Sequence, residues 1–147
     1  MTNTVEHLEY WVSKVSKYVL EASEEILSEK INPEKWSKKE ILGHLVDSGI
    51  YNLQRFTEIQ FKEKPYRLQN YNQDELVKAN SYQNSSTNDI LDLLCALNKR
   101  IIQIIKIQEN STLKNEIILS NGEIINFKFL IEDYVIHFEH HTKQIVD

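Results

Sequence analysis

Three of the five histidines of this 147-residue chain stand within five residues of one another, at His137, His140 and His141. Imidazole is the side chain most often recruited to bind a transition metal near neutral pH, where it offers a neutral nitrogen lone pair. Residues four apart are neighbours on a helix, so His137 and His141 place two rings one above the other, within reach of one ion. In ideal helical geometry Leu130, Tyr134, His137 and His141 fall within about 60° of one another, with Phe127, Phe138 and Ile145 beside them. The pair therefore shares the inward face. His140 lies outside that arc and reads as a flanking residue; a His137/His140 pair at i,i+3 is the second choice.

Two imidazoles leave a metal site incomplete, so a third donor must come from another element. His44, in Ile41-Leu42-Gly43-His44-Leu45-Val46-Asp47-Ser48, is the obvious one. It lies off the centre of its helix's apolar stripe, in line with Ser48, Tyr51 and Arg55, so it is expected to look out from the edge of the core into a cleft. His7 has no spacing that ties it to the others. Asp47 and Asp133 each stand one turn from a proposed ligand, where a carboxylate can fix an imidazole tautomer, and Gln144 stands one turn beyond His141. Against this stands a plainer reading, in which each histidine is simply hydrogen-bonded or exposed, since H-x-x-x-H alone is a common spacing.

Two familiar metal helices are excluded. A zincin helix carries glutamate directly after its first histidine, where this chain has Phe138, and Glu139 points about 160° away from His137. Carboxylate-bridged di-iron bundles need Glu-x-x-His pairs, and no histidine here has a glutamate three residues before it.

Only three glycines and two prolines interrupt the chain, so long helices must carry these residues. Val5, Leu8, Val12, Val15, Val19, Ala22 and Ile26 recur at three- and four-residue intervals, predicting a first helix that ends before Asn32-Pro33. Ser37-Lys38-Lys39-Glu40 is a capping box, with Trp36 and Ile41 placed as a hydrophobic staple, and it starts a second helix running to about Phe61. A third begins near Ser86 and carries Ile90, Leu94, Leu97, Ile101 and Ile104; the histidine segment, Phe129 to Ile145, is the fourth. Between the second and third helices, residues 64–85 form a long polar connection, expected to be a crossover or a lid with a short helix near Asp74 to Ala79. Before the fourth, β-branched residues flank Asn121-Gly122, a small hairpin signal. The expected architecture is one all-α domain over residues 1–147, a four-helix bundle with a long connection and a β-hairpin-like link.

Composition narrows the partners. With 22 acidic against 17 basic residues the net charge is -5, and no basic block is present, which argues against nucleic acid. The single cysteine, Cys95, excludes an internal disulfide and a multi-thiolate site; in its apolar run it reads as core filler. Neither a secretory leader nor a run of roughly 20 apolar residues is seen, so a soluble cytoplasmic protein with no membrane partner is expected.

Trp36-Ser37-x-x-Glu40-Ile-Leu-Gly43-His44-Leu-Val-Asp47-Ser48, then Asn52 and Arg55, then Asp133-Tyr134-x-x-His137-x-x-His140-His141-x-x-Gln144-Ile145, resembles the DinB/YfiT-like superfamily of metal-dependent proteins. The resemblance covers nearly the whole chain. It implies a four-helix bundle with one divalent ion, commonly nickel or zinc, on His44, His137 and His141. It further implies either a metal-dependent hydrolase or an S-transferase that uses a low-molecular-weight thiol such as bacillithiol or mycothiol, with maleylpyruvate isomerases among the relatives. A small-molecule substrate, and a homodimer as the commonest assembly, go with that expectation. Arg55 and Tyr134 are the catalytic candidates, Arg55 as holder of an anionic substrate group under Tyr66 or Tyr71. The alternative expectation is a non-catalytic stress-response bundle, its metal structural or absent.

Overall fold

The computed structural model describes all residues, 1–147. Four long helices account for the apolar periodicity: α1 (Thr2–Glu21), α3 (Lys38–Glu58), α5 (Thr87–Lys106) and α7 (Phe127–Val146). Short helices α2 (Glu24–Ser28), α4 (Gln73–Ala79) and α6 (Asn110–Leu113) and strands β1 (Tyr66–Arg67), β2 (Glu116–Ile118) and β3 (Ile124–Asn126) fill the connections. No helix is long and apolar enough to cross a membrane.

The expected first helix does not run on to Ile26. Ala22 turns extended (φ -78°, ψ 151°), and Ser23 starts α2 by accepting a hydrogen bond from the Ile26 amide at 3.2 Å. The cap competes with helix continuation because Glu24 and Glu25 follow it, favourable charges in a new first turn. Ile26 consequently falls off the buried stripe and is 48% exposed.

The start of α3 is as expected. Ser37 Oγ accepts from the Glu40 amide at 3.1 Å while Glu40 Oε1 accepts from the Ser37 amide at 3.0 Å, which fixes the first turn and hence the rotation of every later side chain. The helix ends at Glu58, about a turn before Phe61. Asn126 caps α7 through the Phe129 amide at 2.9 Å.

The bundle closes as a ring: α1 packs on α7, α7 on α3, α3 on α5, and α5 on α1. Across α3 and α7 the rings of Phe56 and Phe127 lie 5.6 Å apart and those of His44 and His141 4.6 Å apart, so the two helices run antiparallel. Phe56, Phe127 and Phe138 are fully buried at the centre of the core.

The hairpin signal is realised as antiparallel β2 and β3, joined through Gly122 at φ +87°, where glycine is required. A third strand was not foreseen: β1 pairs parallel with β2, Tyr66 opposite Ile117. The sheet thus ties the start of the 64–85 connection to the N-terminal end of α7, leaving the other end of the α3/α7 seam to the histidines.

Farther along the connection, α4 occupies Gln73–Ala79, and Tyr82 drops its ring onto the backbone of α3 at Gly43. A Cβ at position 43 would stand 2.2 Å from that ring. Glycine is therefore needed here for close approach rather than for an unusual dihedral angle.

Candidate metal centre

His44 from α3 and His137 and His141 from α7 converge on one point, their donor nitrogens all within 4.8 Å of one another. The ring centroids are 5.0 Å apart for His44 and His137, 4.6 Å for His44 and His141, and 4.5 Å for His137 and His141. The i,i+4 spacing on α7 stacks two rings, and the antiparallel seam brings the third to face them. His140 is exposed and outside the group, although its ring lies 4.9 Å from that of His141. His7 is elsewhere, 3.2 Å from Glu139.

One expectation needs correction. His44 does not look out from the edge of the core but is wholly buried. Trp36, from the residue before the α3 cap, lays its indole 4.8 Å from the His44 ring and 6.5 Å from that of His141. A helical wheel of α3 omits this residue because it precedes the helix. His137 and His141 are half-buried, so the group has one closed side and one side toward solvent.

Burial sets the charge state. It drives the pKa of His44 down to about 3 and that of His137 to about 4, and the neighbouring imidazoles push the same way. His141 is lowered as well, chiefly by burial and against the opposing pull of its bond to Gln144. All three are thus neutral at neutral pH, the state in which a ring nitrogen can donate to a metal.

The donor set fits one divalent transition ion. His44 Nε2 and His137 Nε2 are 3.1 Å apart. Ligands at the usual zinc–nitrogen distance of 2.0–2.1 Å around a tetrahedral ion stand about 3.3 Å from one another. His44 Nδ1 is buried without a partner, so its Nε2 is the nitrogen turned to the group. The span of up to 4.8 Å is slightly wider than such an ion would hold.

Neither a family model nor a curated protein matches the sequence. Among solved structures, the chain superposes on YfiT from Bacillus subtilis with a TM-score of 0.87 at 21% identity, over 98% of this chain and 82% of that one. This chain has the YfiT fold. YfiT is described as a probable metal-dependent hydrolase with an unusual four-helix bundle topology. A mycothiol-dependent maleylpyruvate isomerase matches with a TM-score of 0.77 at 10% identity, over 98% of this chain and 60% of the isomerase. The bundle implied by the DinB/YfiT-like resemblance is therefore the architecture observed.

Within this YfiT fold Arg55 lies away from the triad, and Tyr134, one turn before His137 on α7, has its hydroxyl engaged in the core. Arg55 stands eleven residues beyond His44 on the same helix, about 16 Å along its axis. Its guanidinium donates to the Gln69 carbonyl and, at 3.4 Å, to Asn52 Oδ1; the Tyr71 ring covers it at 5.2 Å and stacks on Tyr51 at 4.5 Å. Tyr71 therefore lies on Arg55 itself, and Tyr66 donates its hydroxyl to Glu58 at 3.0 Å. Tyr134 is buried in the core, its hydroxyl donating to Asn98 Oδ1 at 2.7 Å and its ring edge-on to Phe56.

The carboxylates also separate. Asp133 is exposed. Asp47 is buried beside α4, where Oδ1 accepts hydrogen bonds from the Tyr82 hydroxyl and from Asn80 Nδ2 at 2.9 Å, while Oδ2 has no partner. Burial raises its pKa, against the lowering effect of those two bonds. The roles of Tyr82 and Asn80 escaped the sequence reading because nothing local marks a residue that reaches across to another helix.

Cys95 is part-buried, 3.3 Å from Ser16. Both line an open groove of about 830 Å³ between α1 and α5, on the opposite side of the bundle from the histidines.

Proposed function

We propose that the chain is a metal-dependent enzyme in which His44, His137 and His141 hold one divalent ion, zinc or nickel, and which acts on a small-molecule substrate, with a low-molecular-weight thiol as co-substrate. The observation that carries this reading is the convergence of three neutral imidazoles on a point closed by Trp36 on one side and half-open on the other. Three protein donors leave a position free for an exogenous ligand, the arrangement of catalytic rather than structural sites.

When bound, such an ion supplies a nucleophile at neutral pH by lowering the pKa of a coordinated water or thiol. The chain's own residues provide the rest. His44 is immobilised by full burial under Trp36, and the half-buried His137 and His141 form the side on which a ligand would enter. The likeness in fold to a mycothiol-dependent isomerase supports the thiol form of the reading, and the likeness to YfiT supports the hydrolytic form.

Cobalt substitution tests the proposal. Visible absorption that changes on addition of a small thiol or azide is the expected result, because either must enter the metal's coordination sphere. A spectrum indifferent to thiol, azide and pH would assign the ion a structural role, fastening α3 to α7.

A further inference from the structure

We propose that Gln144 is a positioning residue for the triad: by accepting the Nδ1 hydrogen of His141, it fixes the tautomer in which His141 Nε2 is the free donor. The consequence for metal binding rests on the proposed function; the tautomer itself does not.

The argument starts from the two ends of an amide, of which the oxygen only accepts and the nitrogen only donates. Gln144 Oε1 lies 2.8 Å from His141 Nδ1, so Nδ1 must carry the proton. A neutral imidazole has a single N–H, so Nε2 keeps its lone pair. Left to itself, a neutral histidine side chain favours the opposite tautomer, with the proton on Nε2. The bond to Gln144 therefore reverses the intrinsic preference in the direction that a ligand needs.

On its other side, Gln144 Nε2 stands 3.4 Å from His140 Nε2, a contact compatible with the same amide orientation when that ring nitrogen carries its lone pair.

The other rings lack such a partner. His44 Nδ1 is buried and unpaired, and His44 Nε2 faces His137 Nε2 at 3.1 Å. Of the three, only His141 has its outer nitrogen held by a side chain.

Gln144 is exposed, so its substitution leaves the core intact. Gln144→Leu removes the acceptor; Gln144→Glu keeps it. Long-range proton–nitrogen NMR correlations on the metal-free protein report the tautomer of His141, and competition with a chromophoric chelator reports zinc affinity. We expect His141 protonated at Nδ1 in the unsubstituted protein and in Gln144→Glu, and a shift toward Nε2 in Gln144→Leu. Zinc affinity is expected to fall about ten- to a hundredfold in Gln144→Leu, and not in Gln144→Glu. An unchanged tautomer together with zinc affinity within about twofold in Gln144→Leu would overturn the proposal. Should the unsubstituted protein take up no zinc, the proposed function fails, while the tautomer measurement still decides the role of Gln144.

Discussion

His44 Nε2 lies 3.1 Å from His137 Nε2, although ninety-three residues separate them in the chain. Two neutral imidazole nitrogens that close cannot both present lone pairs. In the metal-free protein one of them carries a hydrogen and donates it to the other. An ion held by both rings would need both lone pairs and would take the place of that shared hydrogen.

That relationship makes the ligand assignment testable. Alanine substitution of His44, His137 or His141 is expected to reduce bound metal to near zero, whereas His140→Ala keeps it. Elemental analysis of the four purified variants decides. Loss of metal in His140→Ala with retention in His141→Ala would move the site to the i,i+3 pair.

The three lowered pKa values predict acid lability in the metal-free protein. A histidine that is neutral when folded but titrates near 6.5 when unfolded binds more protons in the unfolded state, so stability falls as pH falls. The contribution is complete above about pH 6.5 and is lost progressively as the pH drops toward the folded-state values of about 4 for His137 and about 3 for His44. Urea denaturation at a series of pH values measures this. A shallower pH dependence between about pH 6.5 and 4 in His44→Phe, which removes one of the three titrating rings and leaves those of His137 and His141, is the expected control.

What could be read in the sequence was what is local and periodic. The Ser37–Glu40 capping box, the i,i+4 pair on α7 and the hairpin at Asn121-Gly122 depend on residues a few positions apart, and each is found as expected. Of the features that depend on contact between distant segments, the approach of His44 to the α7 pair was anticipated, and the others were not legible. The two-residue strand β1 has too little pattern of its own and exists because β2 pairs with it. Trp36, which covers His44, precedes the α3 helix and so has no place in its periodic pattern. The break at Ala22 was readable in principle, since Ser23 followed by two glutamates is a helix start, but the apolar spacing runs straight across it.

Arg55 illustrates how a contact changes the prediction. Exposed in a cleft, it would recognise an anionic substrate; held by the Gln69 carbonyl, Asn52 and the Tyr71 ring, it fastens the 64–85 connection to α3. Arg55→Met is therefore expected to lower stability by about 2 kcal/mol, since it removes hydrogen bonds from a charged donor and leaves a carbonyl unpaired. Proteolytic cleavage within residues 64–72 should rise with it. Zinc affinity should be unaffected, because the triad is about 16 Å away along the helix. A variant of undiminished stability whose KM for an anionic substrate rises would restore Arg55 to the substrate.

Gly43 and Tyr82 provide the sharpest test of the packing beside the site. In Gly43→Ala the new methyl would meet Tyr82 Cγ and Cδ2 at 2.2 Å, so the ring must leave its place. Its hydroxyl then no longer reaches Asp47, and a buried carboxylate retains Asn80 as its hydrogen-bond donor. Overpacking and the lost bond together are expected to cost about 2–4 kcal/mol. The two residues must also be coupled. In a Tyr82→Ala background the obstructing ring is gone, and Gly43→Ala should be nearly neutral or even stabilising, because alanine is the better helix former by about 1 kcal/mol. Urea unfolding of the four proteins in the cycle yields the coupling energy directly. A cost for Gly43→Ala that is the same in both backgrounds would mean that Tyr82 is not what requires glycine at position 43.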